Sequence, residues 1–241
     1  MNSQLHIGLV MACILGQSCS SAGKTDSMTY HHFNVIEEYG KVTATVPIPA
    51  DQKPLWAQQV SQQSGDWSNH RIDPNMPYFT GPEVYVNAPK EGSGEPFYPH
   101  NHQPSITWLA NGDLMAIWYT TKSETGTELT VVAARRRANT TQWDALSEFF
   151  KAEKRNMHGS SIFFDGKGIL YHLNGMGREG VEGWAELALL LRTSADNGLT
   201  WTPARPISSG DQYTNRHQVI AGTLLTESGV LIQLCDAVPG G

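Results

Sequence analysis

Nine histidines are spread over 241 residues, and three of them recur at one position of an internal repeat. His102 lies three residues before Ser105, His158 lies three before Ser161, and His217 falls within two residues of the matching place in a third copy. Imidazole titrates near neutral pH, so histidines that share a pocket serve as acid, base or ligand, whereas scattered ones are surface or turn residues satisfied by water. Tyr171-His172 follows His158 on the second strand of the same copy. A tyrosine beside basic groups loses its proton more readily and acts as acid or nucleophile, while a tyrosine that only packs does neither. Arg136 and Arg192 are read as ending equivalent third strands, and Arg178 and Arg216 fall in loops close to the histidine positions. A guanidinium clamps a carboxylate through two parallel hydrogen bonds, and otherwise it is a solvated charge or a strand-end partner. The candidates are therefore His102, His158 and Tyr171 for catalysis, and Arg136, Arg178, Arg192, His172 and His217 for substrate binding. No motif demands a metal, although the histidines have the chemistry to hold one structurally, and no cofactor is implied.

The elements that position these residues follow from the repeat. Ser105 to Tyr119 reads S-I-T-W-L-A-N-G-D-L-M-A-I-W-Y, two β-rich runs joined by Asn111-Gly112, where both turn positions tolerate a positive φ. Ser161 to Gly175 lines up with it 56 residues later and places Gly168 on Gly112. A third run, Leu129 to Ala134, recurs as Leu187 to Arg192, and a third copy begins at Gly222-Thr223-Leu224-Leu225 and continues through Ser228 to Leu234. Each copy reads as an antiparallel meander, and repeats of this kind are the signature of propeller blades. One helix is expected near Thr140 to Glu153, where apolar residues fall at helical spacing. Residues 24–100, rich in proline and glycine, read as a loop-rich lead-in with short strands such as Val42 to Val46 and Val84 to Val86.

Composition narrows the class. With 39% apolar and 17% charged residues the chain is neither a coiled coil nor a disordered tail, and a formal charge of −6 steers it away from nucleic acid and anionic lipid. Ile7 to Gly16 is an apolar run of signal-peptide size followed by small residues, so residues 1–23 read as an export signal, too short to span a bilayer. The other reading is a first strand. Export puts the protein outside the cell, in the periplasm or on the cell surface, with Cys19 a candidate lipid-anchor site. Cys19 and Cys235 alone then remain, which supports no disulfide framework.

Ser194 to Trp201 matches S-x-D-x-G-x-T-W, the Asp box: Asp196 accepts N–H groups of a tight turn, Gly198 supplies a positive φ, and Trp201 packs between sheets. With H-x-P-S-I-x-x-L-x-N-G-D-L-x-A-x-W from His102, Glu124-Thr125-Gly126 and the strand ending in Arg135-Arg136, this stretch resembles the sialidase-like (BNR/Asp-box) propeller superfamily from about His102 to the end. The resemblance implies an all-β propeller of four-stranded antiparallel blades over residues 101–241, with only two full copies and part of a third in this chain. It implies an enzyme acting on acidic oligo- or polysaccharides. In true sialidases it implies three arginines on the sialic acid carboxylate, a Tyr–Glu nucleophile pair and an Asp acid/base. Here His102-Gln103-Pro104 stands where that family has R-I-P, and the similar string Arg71-Ile72-Asp73-Pro74 lies upstream. Resemblance to the uronate polysaccharide lyases of the same group implies instead His102 or His158 as base, Tyr171 as acid and Arg178 or Arg192 as carboxylate neutraliser. A non-catalytic glycan-binding propeller module is the alternative.

Overall fold

The computed structural model describes residues 53–66, 75, 97–184, 186–207 and 217–237, with the backbone of two strands before them; the side chains at 217, 221, 236 and 237 are outside that set. The export signal, Cys19, Arg71, the run at Val84 to Val86 and Arg216 lie outside the described residues. The first pair, β1 (Val35–Glu38) and β2 (Lys41–Ala44), is an antiparallel hairpin at the place expected for a lead-in strand. Ten more strands follow: β3 (His100–Trp108), β4 (Leu114–Thr121), β5 (Thr130–Arg136), β6 (Ser147–Phe150), β7 (Ser160–Phe164), β8 (Leu170–Gly177), β9 (Leu187–Ser194), β10 (Arg205–Pro206), β11 (His217–Leu225) and β12 (Leu231–Ala237).

They form two four-stranded antiparallel meanders, β3-β4-β5-β6 and β7-β8-β9-β10, and the hairpin β11-β12. The strands β4, β5, β8 and β9 are buried along nearly their whole length, because β8 and β9 have a sheet on each face while β4 and β5 have the second sheet on one face and Phe97, Trp143 and Leu146 on the other, so they read as continuous apolar runs rather than alternating ones. Met115, Ile117, Val131, Phe149, Met176, Leu190 and Trp201 fill the space between the two large sheets. Tyr171, Leu173, Leu189, Leu191, Val219 and Leu231 fill the next space. The first strands of each copy lie side by side and are stitched by their repeat serines. Ile162 N–H donates to Ser105 Oγ at 3.0 Å, and Ser161 Oγ lies 2.8 Å from Thr223 Oγ1. The architecture is all-β, with propeller-like blades.

The helix expected near Thr140 to Glu153 is not formed. Ser147–Phe150 pairs with β5 instead, and the burial of Phe149 and Phe150 against neighbouring sheets outweighs a short stretch of helical spacing. The only helix among the described residues is a 3-10 turn at Leu55–Ala57, whose buried Trp56 donates its indole N–H to Glu148 O at 2.8 Å.

The hairpin turns repeat as well. Leu109 N–H bonds Asp113 O, Asp165 N–H bonds Ile169 O and Thr226 N–H bonds Val230 O, all at 2.9–3.0 Å. Only Gly112 takes a positive φ in the first turn (85°), matched by Gly168 and Gly229, so the two-residue turn with both positions left-handed gives way to a five-residue connection. Asn111 uses its amide on Ser61 O and Asp113 Oδ2 instead.

The Asp box is built as its residues imply. Thr200 N–H and Ser194 Oγ–H donate to Asp196 Oδ1 at 2.9 and 2.7 Å, Gly198 has φ 80°, and Trp201 packs on Phe149 of the first sheet and His172 of the second. Register reveals its degenerate twin. Ile117 faces Ala133 while Leu173 faces Leu191, so the third strands are displaced by 58 residues rather than 56. On that register Trp143 matches Trp201, Asn139 (φ 61°) matches Asn197 (φ 56°), and Asp144 N–H to Arg135 O repeats Thr202 N–H to Thr193 O. The same displacement corrects the pairing of arginines: Arg192 matches Ala134, not Arg136.

Candidate functional site

Histidines at the start of β3 and before β7 are aimed by a shared irregularity. In β3 the four residues His102 to Ser105 lie opposite three of the partner strand, Ile117 to Tyr119, and Gln103 has a left-handed φ of 51°. Its repeat equivalent, Gly159, follows His158 with φ 79°, and a Cβ there would lie 2.4 Å from Val219 O, so only glycine fits. Bulges of this kind bend a strand end and redirect the side chain beside them.

On the rim thus formed, four side chains converge. His102 Nδ1 lies 3.0 Å from Glu124 Oε1 and 2.9 Å from the Tyr119 hydroxyl. Tyr119 donates its O–H to the same Glu124 oxygen at 3.0 Å, and His100 Nε2 stands 3.3 Å from it. The His100 ring is parallel to that of Tyr119, which in turn contacts His158 with centroids 4.9 Å apart. Trp184 stacks on the far side of His158. Buried Asn156 ties the rim together: its amide N–H groups donate to Glu124 O and Gly126 O, and its Oδ1 accepts from His158 N–H. Gln103 donates to Gln218 Oε1 at 3.4 Å, and Gln218 also hydrogen-bonds His158, so β11 contributes to the same rim.

The charges are unequal. Burial raises the Glu124 carboxyl, but hydrogen bonds from Tyr119 and His102 and the nearby His100 outweigh it and hold the group below its ordinary range. Burial, then Glu124, raises Tyr119 well above the usual phenol value, so its proton stays on. His158 is 3% exposed, and burial pushes it down to about 4 against the pull of Glu124. Its Nδ1 has no hydrogen-bond partner among the described residues. The exposed members are His102, with 57% of its side chain open, and His100, with 43%.

The structure brings only part of the expected set together. His102 and His158 share the rim, and Arg178, whose side chain is 41% exposed beside Glu186, follows the end of β8 at the same end of the second sheet. His217 opens β11, but its side chain is outside the described residues; its neighbour Gln218 reaches the site. Tyr171 is corrected: it is buried between the second sheet and β11-β12, opposite Phe163 near the far end of its strand, and burial with nearby Asp165 pushes it up to about 12 rather than down. His172 is buried with Arg192, whose Nε donates to its Nδ1 at 2.9 Å. Arg192 also donates to Phe149 O and sits over the rings of Phe149, Phe150 and Trp201 at 4.2–4.7 Å, so it supports the core and is closed to a substrate carboxylate. Arg136 lies over Trp108 and Trp143, opposite Leu114 at the other end of the first sheet from His102.

Nothing in the sequence alone points to the rim residues His100, Tyr119, Asn156, Trp184 and Gln218. Glu124 stands out in the sequence only within Glu124-Thr125-Gly126. Tyr119 comes within reach only once hairpin pairing with a single bulge sets it opposite His102.

No family model matches the chain, and no curated protein matches it. A solved structure described as Hadza microbial sialidase Hz136 is similar to it over 56% of this chain and 32% of that chain, with 13% identity and a TM-score of 0.45. The match thus spans about a third of that sialidase.

Proposed function

We propose that the rim acts on acidic glycans and that its chemistry is proton transfer in the β-elimination of uronate-containing polysaccharides. The observation that carries this reading is the exposed His102 ring held at Nδ1 by Glu124 and Tyr119. An imidazole whose Nδ1–H points at a carboxylate presents the Nε2 lone pair outward as a base. Removing the proton α to a uronate carboxylate builds an enolate, which needs a positive neighbour, and Arg178, which follows β8 at the same end of the second sheet as His158, is assigned that role. His100, exposed and close to the same carboxylate, supplies the proton for the leaving oxygen. Tyr119 and Glu124 position His102 and do not react themselves.

A second reading rests on the Tyr119–Glu124 hydrogen bond, the pair that a sialidase-type nucleophile requires. Burial and the carboxylate keep that phenol protonated, which disfavours it as a nucleophile. The two are separated by incubating the full chain with uronate polysaccharides and with sialylated glycans. Ultraviolet absorbance of an unsaturated uronate, lost in His102→Ala, supports elimination. Free sialic acid, lost in Tyr119→Phe, supports the second reading. Neither product, with glycan binding intact, makes the chain a binding module. We also infer export to the periplasm, cell surface or medium from residues 1–23, with Cys19 as the lipidation site, which mass measurement of the mature N-terminus tests. No helix among the described residues is long and apolar enough to cross a membrane.

A further inference from the structure

We propose that His100 Nε2, His102 Nδ1 and Glu124 Oε1 form a binding site for a divalent transition metal of the zinc class. The three ligand atoms all lie within 4.8 Å of one another. Both imidazole nitrogens approach the same carboxylate oxygen, at 3.0 and 3.3 Å. Metal–ligand bonds of about 2.0–2.2 Å in a tetrahedron set neighbouring ligand atoms about 3.3–3.6 Å apart, so the two nitrogen-to-oxygen separations need little adjustment. Two imidazoles with one carboxylate is a three-ligand set that suits zinc, leaves a fourth position open and is poorly matched to magnesium or calcium, which prefer oxygen throughout. The Tyr119 hydroxyl lies 2.9 Å from His102 Nδ1 and 3.0 Å from Glu124 Oε1, beside two of the three ligand atoms. The ring stack of His100 on Tyr119 and the Asn156 amide on Glu124 O hold the ligand-bearing segments in place, as supporting contacts around metal ligands do.

This site deepens the proposed elimination chemistry and rests on it in one respect. A neutral imidazole carries one proton. With a metal on Nδ1 of His102 that proton stays on Nε2, and with a metal on Nε2 of His100 that nitrogen has none to give. Metal occupancy and the two proton-transfer roles therefore exclude each other, and zinc acts as an inhibitor of the site.

The test uses full-chain protein stripped with a chelator and dialysed against zinc, with cobalt(II) as a spectroscopic probe. One zinc per chain is expected, with visible cobalt bands of tetrahedral nitrogen and oxygen ligation. His100→Ala, His102→Ala and Glu124→Gln each weaken binding by more than about tenfold, while the exposed Glu153→Gln leaves it unchanged. All three ligand changes are at the surface rim, and unfolding midpoints confirm that each variant folds. Binding that is absent, or unchanged in the ligand variants, overturns the site. Product formation that continues at full rate with zinc bound overturns the exclusion. If zinc binds as stated but no uronate product forms in the stripped protein, the elimination reading fails and the metal site stands.

Discussion

The two four-stranded sheets bury an arginine each on the third strand, and they satisfy it in opposite ways. Arg135 of the first sheet is fully buried on a carboxylate, Asp113 Oδ2 at 2.9 Å, and also donates to Trp56 O and Asn197 O, which joins the lead-in and the Asp-box loop to the sheet. Arg192 of the second sheet donates to His172 Nδ1 and to a backbone carbonyl and rests on three aromatic faces. The histidines at their rims differ as well: His102 is open and carboxylate-bound, and its repeat equivalent His158 is closed beneath Trp184. One backbone plan thus carries an ionic, exposed rim in one copy and an aromatic, buried rim in the next. A repeat position marks where a side chain starts, and its neighbours on adjacent strands decide what it does.

The largest effect expected is from removing one partner of the ionic pair. Arg135→Met leaves the Asp113 carboxylate buried without its guanidinium and costs about 3–5 kcal/mol in chemical denaturation. The matching change in the other sheet, Arg192→Met, removes the donor to His172 Nδ1 and Phe149 O and costs less, about 1–3 kcal/mol. Equal costs would show that the aromatic setting holds Arg192 as firmly as a carboxylate.

Next comes a pH effect on stability. His158 is held near 4 by burial, whereas in the unfolded chain it titrates at about 6.5. Above about 6.5 both states are neutral and stability is complete. Between about 6.5 and 4 only the unfolded state takes up the proton, so stability falls as pH falls, by about 3 kcal/mol in total. Buried His172, also held down, acts in the same direction. His158→Leu flattens part of this slope in denaturation curves taken across that range, and an unchanged slope would assign the whole effect to other groups.

A smaller effect belongs to the corner turns. Asp196→Ala removes the acceptor for Thr200 N–H and Ser194 Oγ–H and costs about 1–2 kcal/mol, while Asn139→Ala in the degenerate twin, which closes without such an aspartate, costs less than about 1 kcal/mol. Thermal unfolding of the two variants side by side measures the difference.

Much of the fold was legible because the strands repeat their turns, their serines and their tryptophans at near-constant spacing. The strand Ser147–Phe150 was not, since Leu146, Phe149 and Phe150 satisfy a helical period equally well and only the facing sheet decides between them. Of the site, His102 and His158 follow from the repeat alone. Tyr171 misled because sequence adjacency to His172 says nothing about strand alternation, which sends the two side chains to opposite faces of β8. Tyr119 and Glu124 reach His102 through hairpin register and a loop shaped by Glu128, whose Oε1 accepts from Lys122 N–H and Ser123 N–H, and neither step is visible in local composition.

The central claim is that the rim around His102, and not Tyr171 on β8, carries the chemistry. Initial rates of unsaturated uronate formation for His102→Ala and Tyr171→Phe, each measured against the parent protein, test it most directly. The account predicts a loss of about 10²–10⁴ for His102→Ala and a near-parental rate for Tyr171→Phe. Full activity in His102→Ala, or a loss confined to Tyr171→Phe, would contradict it.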